Sequence, residues 1–158
     1  MEFVWAPWRI EYILGEKDRE CIFCAKPKQN RDRENLILFR GKYNLVMLNK
    51  YPYNPGHLMV APNRHVSGLN ALSTEELLEH FQLVSRCVDL LKAEMRPDGM
   101  NVGINLGKPA GAGIEEHIHT HIVPRWNGDT NFMTVLADVR VVPEALLATY
   151  DKLFGKLH

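Results

Sequence analysis

Residues 116–126 read Glu-His-Ile-His-Thr-His-Ile-Val-Pro-Arg-Trp, and three of the seven histidines in the chain stand here at alternate positions. In a β-strand the side chains alternate between two faces, so His117, His119 and His121 would share one face. The β-branched residues among them favour a strand over a helix, which would scatter the three rings around its axis. Imidazole is a nucleophile, a proton carrier or a metal ligand, so we interpret this row as functional rather than as packing.

The composition is that of one globular domain. The chain has 158 residues, of which 46% are hydrophobic and 24% charged, enough for a sizeable core. Basic and acidic residues balance at 19 each, so no net charge attracts nucleic acid or an anionic membrane. The first residues lack the apolar core of a signal peptide, no apolar run is long enough to span a membrane, and three cysteines do not make a disulfide framework. We expect a cytoplasmic protein without nucleic-acid or membrane partners.

Short apolar runs predict a sheet built around one long helix. Strands are predicted at 36–39, 43–48, 57–61, 100–105 and 114–123. Ser73 followed by Glu76 is typical of a capping box, which predicts a helix that begins there and is stopped by Pro97 and Gly99. Residues 143–157 predict a terminal helix. Strands arranged as hairpins around one long helix indicate an α+β domain with a mostly antiparallel sheet of about five strands.

The long helix carries apolar residues at steps of three and four, which predicts a buried stripe. Its members are Leu77, Phe81, Val84, Val88, Leu91 and Met95. Cys87 is expected in the core with this stripe. His80 neighbours Glu79 on the helix and, like His158, is expected on the solvated surface.

A glycine-rich loop precedes the histidine row: residues 105–113 read Asn-Leu-Gly-Lys-Pro-Ala-Gly-Ala-Gly. Glycine permits positive φ and close backbone approach, so the loop could point N–H groups at an anion. By itself such a loop is more commonly a plain hairpin connection. Beside a row of imidazoles, a backbone anion cradle is what transfer at phosphorus requires, because it neutralises charge while the nucleophile is positioned.

Cys21 and Cys24 form a Cys-x-x-Cys pair that has three interpretations: half a zinc site, a redox pair, or two buried thiols. Structural zinc takes four nitrogen or sulfur ligands, so two more residues would be needed. The redox interpretation calls for a helix start in a thioredoxin-like βαβ unit, and the sequence predicts none. The pair therefore favours zinc.

Two stretches together resemble the signatures of the histidine-triad (HIT) superfamily of nucleotide hydrolases and transferases. The first is His117-x-His119-x-His121 with two apolar residues after it, and the second runs from Asn49 to Pro55-Gly56-His57-Leu58-Met59-Val60. The Cys pair with His65 is similar to a zinc-bearing branch. Residues 124–129, Pro-Arg-Trp-Asn-Gly-Asp, resemble the branch that includes diadenosine tetraphosphate phosphorylases.

The resemblance runs from about Trp5 to the C-terminus and implies one HIT-like domain over residues 1–158, with 1–20 as an N-terminal aromatic arm. His119 would attack the α-phosphorus of a nucleotide and hold the nucleotidyl group, His121 would contact the phosphate or leaving oxygen, and His57 would support them. The implied nucleotide-binding residues are Asn49, at the ribose hydroxyls, Asn105, Gly111, Gly113 and Trp126. The implied zinc ligands are Cys21, Cys24, His65 and His117.

The chain departs from the family pattern just before the histidine row. Many members carry Gly-Gln and then Ser or Thr there, whose hydroxyl reaches the phosphate, whereas this chain has Ala112-Gly113-Ile114. The phosphate contact would therefore come from backbone N–H groups or from Lys108. The uridylyltransferase-like branch usually has Gln where this chain has His121, which argues mildly against that branch.

Two classes of function follow from these observations. The first is an enzyme that cleaves dinucleoside polyphosphates, or related phosphoanhydrides and phosphoramidates, through a covalent adduct on His119, with water or phosphate as second acceptor. The second is a binding module without turnover, for a nucleotide or for one metal ion held by the three histidines. Magnesium could accompany the substrate.

The resemblance also implies a homodimer paired through the long helix and one strand, to which Trp5 and Trp8 of the arm could add contacts.

Overall fold

The computed structural model describes residues 20–129 and 145–158. In this part of the chain one five-stranded sheet has the order β1-β2-β3-β5-β4, with every neighbouring pair antiparallel. The strands are β1 Ile37–Arg40, β2 Asn44–Leu48, β3 Leu58–Pro62, β4 Gly99–Ile104 and β5 Thr120–Arg125. The α-helices are α1 Ile22–Ala25, α2 Thr74–Met95 and α3 Leu146–Leu153, and 3-10 turns cover Lys26–Gln29, Leu69–Ala71 and Lys108–Ala110. The predicted α+β class is confirmed.

The two faces of the sheet have different coverings, because side chains alternate along each strand. β2 and β3 are buried along their whole length, which explains their continuous apolar sequence. α2 packs against one face, over the larger hydrophobic core. That core includes Val46, Leu48, Leu58, Val60, Leu83, Cys87, Leu91, Ile122, Tyr150 and Leu153. A smaller cluster on the opposite face comprises Phe23, Ile37, Leu45, Met47, Met59 and Ala61.

The start of α2 is the predicted capping box. The Ser73 hydroxyl accepts from the Glu76 backbone N–H at 3.2 Å, and the Glu76 carboxylate accepts from the Ser73 N–H at 2.7 Å. Such a cap contributes roughly 1 kcal/mol, because it satisfies N–H groups that have no partner within the helix. The Arg64 guanidinium binds the same carboxylate at 2.6 and 2.7 Å and holds its pKa well below the usual range.

The predicted burial of the apolar stripe of α2 is wrong for several of its residues. Phe81 is 49% exposed and Leu77 and Val88 are only partly buried, whereas Val84 and Leu91 are buried as predicted. The residues that α2 buries are Glu76, His80, Leu83, Val84, Cys87, Leu90 and Leu91. The helix is thus rotated from the predicted orientation because its first two turns bury polar groups that have specific partners. Cys87 lies in the core as expected.

His80 was expected at the surface, and this expectation is wrong: the residue is 1% exposed. The Asn44 amide N–H₂ donates to the Glu76 carbonyl and the Glu79 carboxylate, so the Asn44 oxygen faces His80 Nδ1, at 2.8 Å. Nδ1–H therefore donates to that oxygen, and Nε2 accepts from the Thr120 hydroxyl at 2.7 Å. A buried imidazole with both nitrogens satisfied joins α2, β2 and β5.

The predicted strand boundaries agree with the structure to within one residue for β1 to β4. The fifth is wrong, since 114–123 was predicted and the strand begins only at Thr120. The residues before it form turns, and the Ile118 N–H bonds the Val66 carbonyl at 2.7 Å instead of a neighbouring strand. His117 and His119 are therefore held by a loop, and only His121 belongs to the sheet ladder.

The terminal helix is shorter than predicted. Residues 143–157 were expected to be helical, and the helix covers Leu146–Leu153 before the backbone becomes extended at Phe154. Positions 143 and 144 lie outside the described residues, as do Trp5, Trp8 and the rest of the aromatic arm up to residue 19. Among the described helices, none combines the length and the apolar character that a membrane span requires.

The buried His80 predicts a stability that falls in acid. Burial lowers the pKa of His80 from 6.5 to about 4. The unfolded chain therefore takes up the proton at higher pH than the folded chain, and this contribution to stability is complete above about pH 6.5 and is lost as the pH falls toward 4. Its full size is about 3 kcal/mol at 1.4 kcal/mol per pKa unit.

Urea unfolding between pH 7.5 and 4.5 measures this effect. His80→Gln should be less stable than the natural chain at pH 7.5 and should lose less stability on acidification. His158→Gln, which changes an exposed histidine, is the matched control and should follow the natural chain. An unchanged pH dependence in His80→Gln would contradict the assignment.

Candidate functional site

The row of histidines lies on the face of the sheet opposite α2. Ile122 and Thr120 point toward the α2 side, since Ile122 joins the larger core and Thr120 bonds His80. The alternate residues therefore point to the other side, where the His119 and His121 rings lie 4.7 Å apart between centroids. Phe23 of α1 packs against the rings of both His117, at 5.1 Å, and His119, at 4.9 Å. The predicted common face is present, although only one of its histidines is in the strand.

His119 is buried, at 5% exposure, and has a fixed tautomer. Its Nδ1 lies 2.9 Å from the His117 carbonyl oxygen, which can only accept. Nδ1 therefore carries the proton and Nε2 carries the lone pair. The acceptor belongs to the histidine row itself. Burial lowers the pKa of His119 below 6.5, which keeps the ring neutral near pH 7.

A second chain of hydrogen bonds fixes His121. The Tyr53 backbone N–H donates to His57 Nδ1 at 3.1 Å, so that nitrogen is unprotonated. His57 must then carry its proton on Nε2, which lies 2.9 Å from His121 Nδ1. His121 Nδ1 is therefore the acceptor, and the proton of His121 resides on Nε2. Burial lowers the pKa of His121 to about 4, and repulsion from His119 in its protonated form adds to this effect.

Gly56 places His57 at the start of β3. Its φ is +79°, in the left-handed region, and a Cβ at this position would lie 2.5 Å from the Met95 sulfur and 3.2 Å from a Leu91 methyl group. Only glycine combines this backbone conformation with such close packing against α2. The Pro-Gly-His sequence thus has a physical reason: the turn brings a fully buried imidazole beside the strand that carries His121.

A second group of side chains gathers at the other end of the row. The ligand atoms of Cys21, Cys24, His65 and His117 all lie within 4.8 Å of one another. His117 Nδ1 is 3.2 Å from Cys21 Sγ, 3.6 Å from Cys24 Sγ and 3.2 Å from His65 Nδ1. His117 Nε2 donates to the Pro62 carbonyl at 2.8 Å, so its Nδ1 lone pair faces the cluster. The structure brings together all four residues that were named as one metal site.

Two of the predicted nucleotide-binding residues, Asn49 and Asn105, make side-chain hydrogen bonds in the structure. Asn49 lies beside His57, with its Nδ2 3.5 Å from His57 Nδ1 and its Oδ1 accepting from the Tyr51 N–H at 2.9 Å. Asn105 donates to the Gly111 carbonyl at 3.3 Å and so holds the glycine-rich loop closed. Ile114, which follows Gly113, packs against the smaller cluster and brings that loop onto the histidine face.

Trp126 follows β5 at the opposite end of the row from the Cys and His group. Its backbone N–H donates to the Asp129 carboxylate at 3.1 Å, and Arg125 binds the same carboxylate at 2.7 and 2.9 Å. The Asn54 amide joins this carboxylate at 2.7 Å and the Pro124 carbonyl at 2.8 Å. The turn that carries Trp126 is thereby fixed to the loop before His57.

Three residues with a part in the site were not identified from the sequence. His80 and Thr120 hold β5 from the α2 side, and Phe23 packs on two histidines of the row. The position of Phe23 inside the Cys-x-x-Cys pair was the available signal. Nothing local distinguished His80 from a surface residue, because its partners Asn44 and Thr120 are 36 and 40 positions away.

The family model described as "HIT domain" matches residues 30–128 of the chain. A protein of Mycobacterium tuberculosis (strain CDC 1551 / Oshkosh) named AP-4-A phosphorylase is 40% identical over 157 residues, which cover 94% of this chain and 80% of that protein. A bis(5'-adenosyl)-triphosphatase of Saccharomyces cerevisiae (strain YJM789) is 32% identical over 91 residues, covering 57% of this chain and 44% of that protein.

A solved structure supports the same relationship. The crystal structure of a Zn-bound histidine triad family protein from Mycobacterium smegmatis superimposes with a TM-score of 0.69 at 27% identity. The superposition covers 87% of this chain and 93% of that one.

Proposed function

The chain belongs to the HIT domain family, and on that premise we propose that it is a nucleotidyl hydrolase or transferase that cleaves dinucleoside polyphosphates. The observation that carries the proposal is the pair of fixed tautomers. Side by side on one face, His119 offers an unprotonated Nε2 and His121 offers an Nε2–H. A nucleophile next to a hydrogen-bond donor is the arrangement that displacement at a phosphorus atom requires.

In the proposed first step, His119 Nε2 attacks the α-phosphorus of the substrate. An N–P bond forms as the P–O bond to the leaving polyphosphate breaks, and the leaving group departs as an anion without needing a proton. The His121 Nε2–H stabilises the charge on the phosphate or leaving oxygen. The nucleotidyl-imidazole becomes positively charged, and its Nδ1–H donates to the His117 carbonyl, which stabilises that charge.

In the second step, water or phosphate attacks the same phosphorus and the N–P bond breaks, which restores neutral His119. From diadenosine tetraphosphate the first step releases ATP. The second gives AMP with water and ADP with phosphate, so the products identify the acceptor. The relative named AP-4-A phosphorylase supports phosphate, and the relative named bis(5'-adenosyl)-triphosphatase supports the hydrolytic alternative.

The remaining site residues enter the proposal as binding groups. We propose that Asn49, which contacts His57, binds the ribose. Gly111 and Gly113 lie in the loop that Ile114 anchors on the histidine face. Gly111 has a φ of +89° and closes a turn in which the N–H groups of residues 110–112 bond to the carbonyls of Gly107 and Lys108. A phosphate contact from this loop would therefore come from the Lys108 side chain or from N–H groups outside that turn. Asn105 secures this loop, and Trp126 stands at the far end of the site.

The second class of function, a metal ion held by the three histidines, has little support in the described residues. The one group there that gathers at least three ligand atoms is the Cys and His cluster, which includes His117 alone from the row. The Nδ1 atoms of His119 and His121 already have hydrogen-bond partners. Magnesium with the substrate stays a prediction.

Replacing the nucleophile tests the mechanism. We expect His119→Gly to reduce turnover of diadenosine tetraphosphate by several powers of ten, because the adjacent His121 carries its proton on Nε2 and cannot replace the nucleophile. Nucleotide binding should be largely retained. The assay separates AMP, ADP and ATP after incubation with and without phosphate, and His158→Gln is the control. Near-normal turnover by His119→Gly would exclude His119 as the nucleophile.

We propose further that Cys21, Cys24, His65 and His117 hold one structural Zn²⁺. Tetrahedral zinc with two sulfur and two nitrogen ligands places those atoms roughly 3.3–3.8 Å apart. Four of the six separations are 3.2–3.6 Å, and all six are within 4.8 Å. The Nε2–H of His117 donates to the Pro62 carbonyl, the kind of outer contact that orients a metal-binding imidazole. Zinc would tie α1 to the loop that carries His117 and His119.

Metal analysis tests this site. The purified chain should contain one zinc per molecule, and X-ray absorption should show two sulfur neighbours at about 2.3 Å and two nitrogens at about 2.0–2.1 Å. Cys24→Ala should weaken zinc binding by more than about a hundredfold, beyond the loss seen when only an outer contact is removed. His158→Gln should keep the metal. Ligation by nitrogen and oxygen alone would refute the proposal.

We also propose that the chain is a single domain that forms a two-fold homodimer in the cytoplasm. A reducing compartment suits the free cysteines Cys21 and Cys24. The dimer is supported by β4, an edge strand in which Val102 is 48% exposed. Val102 pairs with Ile122, whose side chain faces α2, so it lies on the same side of the sheet as the exposed Phe81. Within residues 20–129 and 145–158, β4 is the outermost strand on this side, and an edge strand with an exposed apolar side chain is a surface that a second copy can cover.

Sedimentation equilibrium at micromolar concentration tests the dimer. We expect a mass of about twice 18.1 kDa, and a single-chain mass for Val102→Glu, which would bury a charge in the interface. Leu147→Glu, at a 43% exposed position on α3, is the matched control and should stay dimeric. A mass of one chain for the natural protein would overturn the proposal.

A further inference from the structure

Tyr53 is an aromatic residue beside the histidine row that the mechanism above uses only through its backbone. Its ring stacks on His57, with centroids 4.8 Å apart and planes at 30°, and lies 6.3 Å from the His121 ring. His57 is fully buried, whereas Tyr53 is 46% exposed. The tyrosine thus covers one buried imidazole and is itself partly exposed to solvent.

The place of Tyr53 along the row is defined by the strand register. β5 runs from Thr120 to Arg125, and the neighbouring Asn54 donates to the Pro124 carbonyl at 2.8 Å. The loop that carries Tyr53 therefore stands at the Pro124 end of β5, and His117 stands at the other end. Along the face the order is the Cys and His cluster, His119, His121 and then Tyr53.

This order separates the two halves of a dinucleoside polyphosphate. The half that becomes attached to His119 has its α-phosphorus at that ring, and the leaving half departs past His121. Tyr53 is the next ring beyond His121, so it stands beside the path of the leaving group. A polyphosphate that ends in a second nucleoside would bring a planar, weakly polar base to this region.

We propose that the Tyr53 ring is a stacking platform for the base of the leaving nucleotide, which makes it a residue that selects dinucleoside substrates over mononucleoside polyphosphates. This inference rests on the proposed function. Base–aromatic stacking accepts every base, because every base has a π-face. The contact with His57 and the Tyr53 N–H bond hold the ring in place before the substrate arrives, which lowers the entropy cost of binding.

Two substrates that share the same reacting half test this proposal. Diadenosine tetraphosphate and adenosine 5'-tetraphosphate present the same adenosine and α-phosphorus to His119, and only the first has a leaving base. Loss of a stacking contact is worth roughly tenfold in affinity. We expect Tyr53→Ala to raise the KM for diadenosine tetraphosphate about tenfold more than the KM for adenosine tetraphosphate. Tyr53→Phe, which keeps the ring and removes the hydroxyl, should retain the preference of the natural chain.

Phe154→Ala removes an exposed ring on the α2 side of the molecule and is the matched control for ring loss. An equal change in KM for both substrates in Tyr53→Ala would mean that the ring acts on the attached half, and an equal change in kcat would mean that it only covers His57. Either result would overturn the inference. Loss of the preference in Tyr53→Phe would also overturn it, since a hydroxyl contact would then be responsible. If the natural chain cleaved neither substrate, the proposed function itself would fail, which is a different result.

Discussion

The placement of β5 between β3 and β4 is the constraint on which the histidine face depends. Both sides of β5 are paired in antiparallel register, with His121 opposite Met59 on one side and Gly103 on the other. A shift of one residue would turn every side chain of the strand to the wrong face. The His80–Thr120 bond opposes such a shift from the α2 side, because only one register places that hydroxyl at His80 Nε2. The positions of the histidines on one face of the sheet thus depend on a hydrogen bond on the other face.

The histidines on this face differ in protonation through their hydrogen bonds rather than through neighbouring charged residues. Burial keeps His119 and His121 neutral near pH 7 by lowering both pKa values. A carbonyl acceptor then assigns the His119 proton to Nδ1, and the Tyr53 N–H, acting through His57, assigns the His121 proton to Nε2. Two chemically identical side chains on one face therefore present a lone pair and a donor. No carboxylate is needed to produce this difference.

The ends of the row are fixed by different means. At one end, two cysteines and two histidines from three parts of the chain converge on one point and hold the loop that precedes β5. At the other end, the Asp129 carboxylate joins Arg125, Trp126 and Asn54. The loop that supplies His119 would otherwise have few bonds to the sheet, since its residues lie outside the strand ladder. The two clusters fix both ends of the row although His117 and His119 lie on a loop.

The sequence by itself determined what depends on local pattern. Alternation of three histidines identified their common face, the Ser73–Glu76 pair identified the start of the long helix, and apolar runs located four of the five strands to within one residue. The four members of the Cys and His cluster were named in advance through a family resemblance and came together in the structure. Tertiary structure alone decided the rotation of α2, the burial of His80 and the hydrogen-bond acceptor of His119. In each of these cases the deciding partner comes from the folded backbone or from a distant element, as with Asn44 and Thr120 for His80. A polar group at an apolar face is tolerated only when such partners are present, and the three-dimensional fold alone supplies them.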